Sequence, residues 1–154
     1  MAFKCKAYVE NQDGPVEGSM EDGAILVFEI NFEIYLPYDT EQNKATGSRR
    51  ITPFTMVCEK GKQTPMIVKT LCEGQTCPKI QLDWYQIDDS GSESVYFTTV
   101  FENAKIIRIK ELMPSTKYDI SENVGYLDEV SFVSQQYTWT HAPTGVEYTE
   151  SMIV

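Results

Sequence analysis

The chain has few of the residues that chemistry usually needs. It holds a single histidine, His141, and no HExxH, GxSxG or phosphate-loop pattern, so no catalytic constellation can be read from it. The four cysteines, Cys5, Cys58, Cys72 and Cys77, include no CxxC pair. Cys72 and Cys77 have a spacing that a zinc pair can use, but no second pair of Cys or His follows to complete a tetrahedral site. His141 could act as a general base for Cys58 or Cys72 only if folding brought them together, and nothing in the spacing asks for that. Asp88 and Asp89 fall in a hairpin turn, while Asp128 and Glu129 begin a strand; both pairs read as turn and surface residues, not as an acid and base pair or a calcium loop. No enzyme, no metal and no cofactor are expected.

Positive charge is also scarce, with 13 Lys and Arg against 23 Asp and Glu and a formal net charge of −10. Phosphate backbones and anionic lipid leaflets repel such a balance, so neither nucleic acid nor a membrane is an expected partner. No apolar run reaches membrane-spanning length, and the N-terminus MAFKCKAYVENQDG lacks the apolar stretch of a signal peptide. The expectation is a chain made and folded in the cytoplasm, where a reducing medium keeps its cysteines as thiols. Identical subunits of this charge repel at low salt, so any self-assembly must rest on backbone pairing and apolar contact, and salt should help it.

What the sequence does contain is the pattern of a folded domain. Its 154 residues are 42% hydrophobic and 12% aromatic, with no low-complexity tract, which fits a single domain over 1–154. Phe3 to Val9 reads as a strand ended by the turn chemistry of NQDGP. Ala24 to Leu36 alternates, with Leu26, Phe28, Ile30, Phe32, Ile34 and Leu36 expected on the core face. Strand rows this apolar would invite pairing with another chain unless covered or used, and they are expected to be used. Pro37 to Pro53 loses all periodicity and reads as a long loop; loops of that length are uncommon unless they do something, and an arm that contacts a partner is the sharper reading. Arg49 and Arg50 at its end stand out in an acidic chain.

Phe54 to Cys58 is a short strand. Thr64 to Gly74 then has the marks of a helix, with Thr64 as cap, Pro65 at the first position and Gly74 past the end; Ile67, Leu71, Val68 and Cys72 make its packing face, which must dock on a sheet. Ile80, Leu82 and Trp84 alternate, DDSGS turns, and Val95 to Phe101 returns. Ala104 to Lys110 is a further run, Met113 to Gly125 a second long connection, and Val130, Phe132, Tyr137 and Trp139 lie in two last strands. The strand aromatics, among them Trp84, Tyr85, Tyr96, Phe97 and Trp139, read as core in preference to a cavity lining. Many short strands with one small helix indicate an all-β sandwich or barrel.

The segments GSRRITPFTMVCEK, TPMIVKTLCEGQT, LDWYQIDDSG, YFTTVFENAKIIRI and EVSFVSQQYTWT, in this order and spacing, resemble the Hcp family (haemolysin-coregulated protein) of the bacterial type VI secretion system. The resemblance implies a mainly β fold, a compact β-barrel of two antiparallel sheets with one short flanking helix and a long extended loop. It further implies a structural tube subunit that closes into homohexameric rings. Those rings stack into a hollow tube that a contractile sheath expels, capped by a trimeric spike and able to carry effector proteins in its channel. The protein would then be secreted without a signal peptide. On the same resemblance Pro37 to Pro53 matches the loop that reaches neighbouring subunits, which makes Pro37, Tyr38, Asp39, Thr40, Arg49 and Arg50 the candidate interface residues. A different class of function remains open, a monomeric small-ligand-binding β-barrel with an aromatic interior; an interior filled by Trp84, Phe97 and Trp139 would end it.

Overall fold

The computed structural model describes residues 4–118 and 124–152. In chain order its elements are β1 (Lys4–Asn11), β2 (Gly14–Val16), β3 (Ile25–Asn31), β4 (Ile34–Tyr35), β5 (Tyr38–Asp39), β6 (Lys44–Ala45), β7 (Arg50–Ile51), β8 (Phe54–Glu59), α1 (Thr64–Cys72), β9 (Cys77–Ile87), β10 (Glu93–Leu112), β11 (Leu127–Val133), β12 (Gln136–His141) and β13 (Val146–Ser151). Strands β11, β8, β3, β1, β9 and β10 are hydrogen-bonded side by side, and β10 pairs with β11 to close them into an antiparallel barrel. From β10 the sheet also continues to β12 and β13.

One long strand builds both parts. β10 pairs through Phe97 to Glu102 with β12 and through Lys105 to Leu112 with β11. The runs VYFTTVF and Ala104 to Lys110 are therefore a single strand and not two. Between them Asn103 takes a left-handed backbone (φ 52°), a conformation that asparagine tolerates better than most residues. Of the predicted connection Met113 to Gly125, residues 119–123 lie outside the described chain, as does Phe3 of the first strand. β1 itself runs past Val9 into the expected turn, where Asn11 pairs with Gly14.

Inside the barrel sit Phe54, Phe101 and Phe132, each at most 2% exposed, with ring centroids 4.8–5.1 Å apart. Ile80, Leu82, Met56 and Val130 fill the space around them, and Tyr137 stacks 5.9 Å from Phe32 over the top. The interior is thus occupied, but by other aromatics than Trp84, Phe97 and Trp139.

The expected core face of β3 is corrected by a bulge. Ile25 and Val27 are buried, on the opposite parity to the one expected, while Phe28 is exposed and Ile30 and Phe32 pack against the core. Val27 pairs with Cys58 and Glu29 with Val57, which leaves Phe28 as an extra residue and returns Ile30 and Phe32 to the core side, while Ile34 and Leu36, also expected there, are exposed beyond the end of β3. The same device recurs in β10, where Tyr96 is extra against β9 and Ile107 against β11. All three bulge residues are large, apolar or aromatic, and exposed. β3 is also no edge, since β1 and β8 flank it; the open edge of the large sheet is β13.

Helix α1 forms where its signals place it and ends as they predict. Gly74 takes φ 66°, its N–H reaches the Leu71 carbonyl, and the Gln75 N–H reaches that of Thr70, the paired bonds of a glycine-stopped helix. The start differs: Gln63 is the cap residue, and the Thr64 hydroxyl is drawn away to Asp128 Oδ2 at 2.5 Å. The buried face is Thr64, Ile67 and Thr70, with Leu71 partly covered. Thr70 carries no signal in the sequence, because a threonine does not register in an apolar pattern. Its hydroxyl donates to the Met66 carbonyl (2.7 Å) and accepts from Asn11 Nδ2 (3.0 Å), which ties the helix to β1.

Candidate functional site: the arm and an aromatic cleft

The stretch expected to be an irregular loop is an ordered hairpin. β4 pairs with β7 through Ile34 and Ile51, then β5 with β6 through Tyr38 and Ala45, so two short ladders carry the chain out from the barrel and back. The Thr46 N–H donates to the Pro37 carbonyl and the Thr52 N–H to that of Glu33, bridging the gaps between them. At the tip Asp39 Oδ1 accepts from the N–H of Glu41 at 2.9 Å, and Asn43 supplies the left-handed residue (φ 52°) that a tight reversal needs. Paired ladders with no apolar alternation carry no period-two signal, which is why the pattern read as a loop.

The candidate interface residues divide by position. Tyr38 is 69% exposed, and Thr40 and Arg50 are exposed beside it on the arm. Pro37 and Asp39 are half-buried within the ladder. Arg49 is turned inward: its guanidinium lies 3.3 Å from Glu150 Oε1 and donates to the Ser151 carbonyl at 3.1 Å, which fastens the base of the arm to β13. The two arginines therefore have different roles, one anchoring and one free of any ion pair among the described residues. Ile34, Tyr35 and Leu36 near the base are also 43–51% exposed, so the arm presents a row of apolar side chains to solvent.

Beside the root of the arm the barrel opens into a cleft of about 850 Å³. Trp84 and Phe97 meet edge to face on one wall (centroids 6.4 Å apart), with Trp139 and Phe32 beyond, and the Trp84 indole N–H donates to Thr99 Oγ1 at 3.3 Å. The bulge residues Phe28 and Tyr96 stand at its margin together with Lys4 and Glu29. Here the expectation that the strand aromatics are core is corrected for Tyr85, Tyr96 and Phe97, which line this opening, while Trp84 and Trp139 are half-buried, pack against the core as expected and line the opening as well. Nothing in the alternation marks it, because the bulges that re-aim Phe28 and Tyr96 carry no sequence signature.

The reactive residues do not converge. His141 ends β12 with Nδ1 2.7 Å from Thr144 Oγ1 and its ring edge-on to Tyr96. Cys58 is fully buried, its thiol 3.5 Å from the Asp128 carbonyl, and burial pushes that thiol up to about 12. Cys72, expected on the packing face of the helix, is exposed, whereas Cys77 is fully buried at the start of β9 and pushed up by burial to about 11. Asp88 holds the β9–β10 turn by accepting from the Ser90 hydroxyl at 2.6 Å and from the N–H groups of Ser92 and Ser90, and these bonds lower its carboxyl below the ordinary range.

The fold and the order of its motifs find direct counterparts. The profile of the family described as "Type VI secretion system effector, Hcp" matches residues 8–141. The chain belongs to the Hcp family. It is 27% identical over 139 residues to the Major exported protein of Pseudomonas aeruginosa, covering 90% of this chain and 81% of that protein. Among solved structures it superposes on an Hcp protein with TM-score 0.91 at 22% identity, each chain covered to 99%. Against Hcp1 of the E. coli strain EAEC 042 the TM-score is 0.85 at 27% identity, covering 97% of this chain and 98% of that one. Hcp is a family of type VI secretion proteins and not a family of enzymes, and the mainly β barrel with one short helix is its fold.

Proposed function

We propose that this chain is the tube subunit of a type VI secretion system, closing as a homohexamer into rings that stack into a hollow tube. In this role the contractile sheath and the trimeric spike are its partners, effector proteins occupy its channel, and the chain itself catalyses nothing. It is assembled in the bacterial cytoplasm and then secreted. The observation that carries the reading is the arm: an ordered hairpin anchored by Arg49 at its base and displaying Ile34, Tyr35, Leu36 and Tyr38 to solvent. A domain with a filled core has no internal use for such a projection, whereas a head-to-tail interface that closes on itself needs one patch to meet a different one on the next copy. Charge sets the conditions, because a chain of formal charge −10 repels its copies until salt screens them. The test is electron microscopy and sedimentation of the purified protein at moderate salt, with Arg50→Glu beside the wild type. Six-membered rings that weaken in the variant support the reading; a strict monomer at high concentration refutes it.

A further inference from the structure

We propose that the aromatic cleft is the receptor for the arm of an adjacent copy, with Leu36 to Tyr38 as the inserted segment. The inference rests on the ring-forming reading and names the surface that the arm meets. Its first support is that one chain carries both halves of an unsatisfied apolar contact. Tyr38, the most exposed large side chain of the arm, is 69% exposed, and it does not line its own cleft. The base of the chain's own arm is fixed by Arg49 to Glu150 and the carbonyl of Ser151, and Ile34 and Ile51 line, with Trp139 and Tyr148, an adjoining groove that shares Trp139 with the cleft. A hairpin pinned at its base and pointing away fills a neighbour's cleft more readily than its own.

Charge complements shape. In an acidic chain the arm displays two cations, Lys44 and Arg50, that have no ion pair among the described residues. At the margin of the cleft Glu29 is exposed and likewise without one, whereas Lys4 is already paired with Glu93 at 3.3 Å. The bulges in β3 and β10 add a further observation. They turn Phe28 and Tyr96 out of the barrel, 49% and 43% exposed, onto the rim of this same opening. A bulge costs ladder hydrogen bonds, and two that both deliver a ring to one rim build a surface suited to an incoming apolar segment. Area sets a limit on the role. The exposed side chains of the arm amount to roughly half of the ~800 Å² per partner typical of a stable interface. Insertion of the arm is therefore the specific element of a larger contact.

Both tryptophans of the chain, Trp84 and Trp139, line the cleft, so its occupancy can be read directly from intrinsic fluorescence. The experiment compares dispersed protein at low salt with assembled protein at moderate salt, in the wild type, Tyr38→Ser, Glu29→Lys, Arg50→Glu and the double variant Glu29→Lys with Arg50→Glu, with the apolar dye anilinonaphthalene sulfonate as a probe of the open cleft. The expected result is a shift of tryptophan emission to shorter wavelength on assembly, with loss of dye binding. Tyr38→Ser should weaken association by at least about tenfold. Each single charge variant should weaken it less, and the charge-swapped double variant should recover. Rings that form with unshifted emission and bound dye would overturn the cleft assignment and leave the ring reading intact. A double variant no better than its parents would count against the Glu29 to Arg50 pairing and with it the assignment. A protein that stays monomeric and binds the dye at all salts would overturn both.

Discussion

Replacing Lys60 by methionine tests the ion pair that holds a buried carboxylate, Asp128. Asp128 on β11 is 2% exposed; its Oδ2 accepts the Thr64 hydroxyl at 2.5 Å, and its Oδ1 faces the Lys60 ammonium at 2.8 Å. The same ammonium lies 2.6 Å from Glu111 on β10. Through these contacts the start of α1 is joined to β8, β10 and β11 at one point. Methionine keeps the apolar stem and removes only the charge, leaving a buried carboxylate oxygen without a partner. Breaking such a pair in a dry interior costs about 3–5 kcal/mol. Lys60 is 30% exposed, so water screens part of the loss, and about 2–3 kcal/mol is the expected destabilisation.

The assay is urea unfolding of dispersed protein followed by tryptophan emission, with a thermal midpoint as cross-check; for a chain of this size the midpoint should fall by about 4–12 °C. The alkaline limb supplies an independent check. Hydrogen bonds to Asp128 and Glu111 raise the Lys60 pKa above its ordinary 10.5. A folded value raised above the unfolded one means that the stabilisation is complete below pH 10.5 and is lost as pH climbs through the folded value. Wild type should therefore lose its advantage over Lys60→Met above that range. Adding Asp128→Asn to Lys60→Met should recover much of the loss, because the buried charge then disappears. A difference below about 0.5 kcal/mol at neutral pH would refute the argument, as it would place the carboxylate in contact with water. A gap that persists unchanged at high pH would assign the loss to packing.

Three other outcomes follow from the structure. Thr70→Val keeps shape but strands the Asn11 amide in a buried site, and should cost about 1–3 kcal/mol in urea unfolding, more than Thr70→Ser; equal losses would show that the hydroxyl does not tie helix to sheet. An aromatic disulfide reagent should modify one of the four thiols quickly in the native protein, Cys72, and all four after denaturation, because Cys5, Cys58 and Cys77 are buried and pushed up to about 11–12. Rapid native labelling of two or more would mean that the barrel opens easily. Arg49→Glu should release the base of the arm in the isolated subunit, seen as faster amide exchange across β4 and β7, whereas Arg50→Glu should alter assembly alone; identical exchange in both would remove the division of roles between them.

Local signals settled what depends on neighbours in the chain. Gly74 stops α1 because only a residue at ease with positive φ can close the helix there, and DDSGS turns because Asp88 can collect the N–H groups that follow it. The order of such pieces was enough to place the chain in its family.

Tertiary structure decided everything that depends on which side of a strand faces what. Period two predicts a face only while the register holds, and the extra residues Phe28, Tyr96 and Ile107 each reverse it without a mark in the sequence. Cys72 leaves its expected place on the packing face because helix phase turns it to solvent, and strand register turns Cys77 inward. Arg49 and Arg50 are adjacent and chemically alike, yet one lies against Glu150 just before β7 and the other is exposed at its start, a division that only the contact with β13 reveals. The sequence by itself determined a mainly β domain with one helix and a long connection, because turns, caps and alternation act over a few residues. Only the closed barrel determined that Trp84, Phe97 and Trp139 border an opening, because an opening exists only between strands distant in sequence.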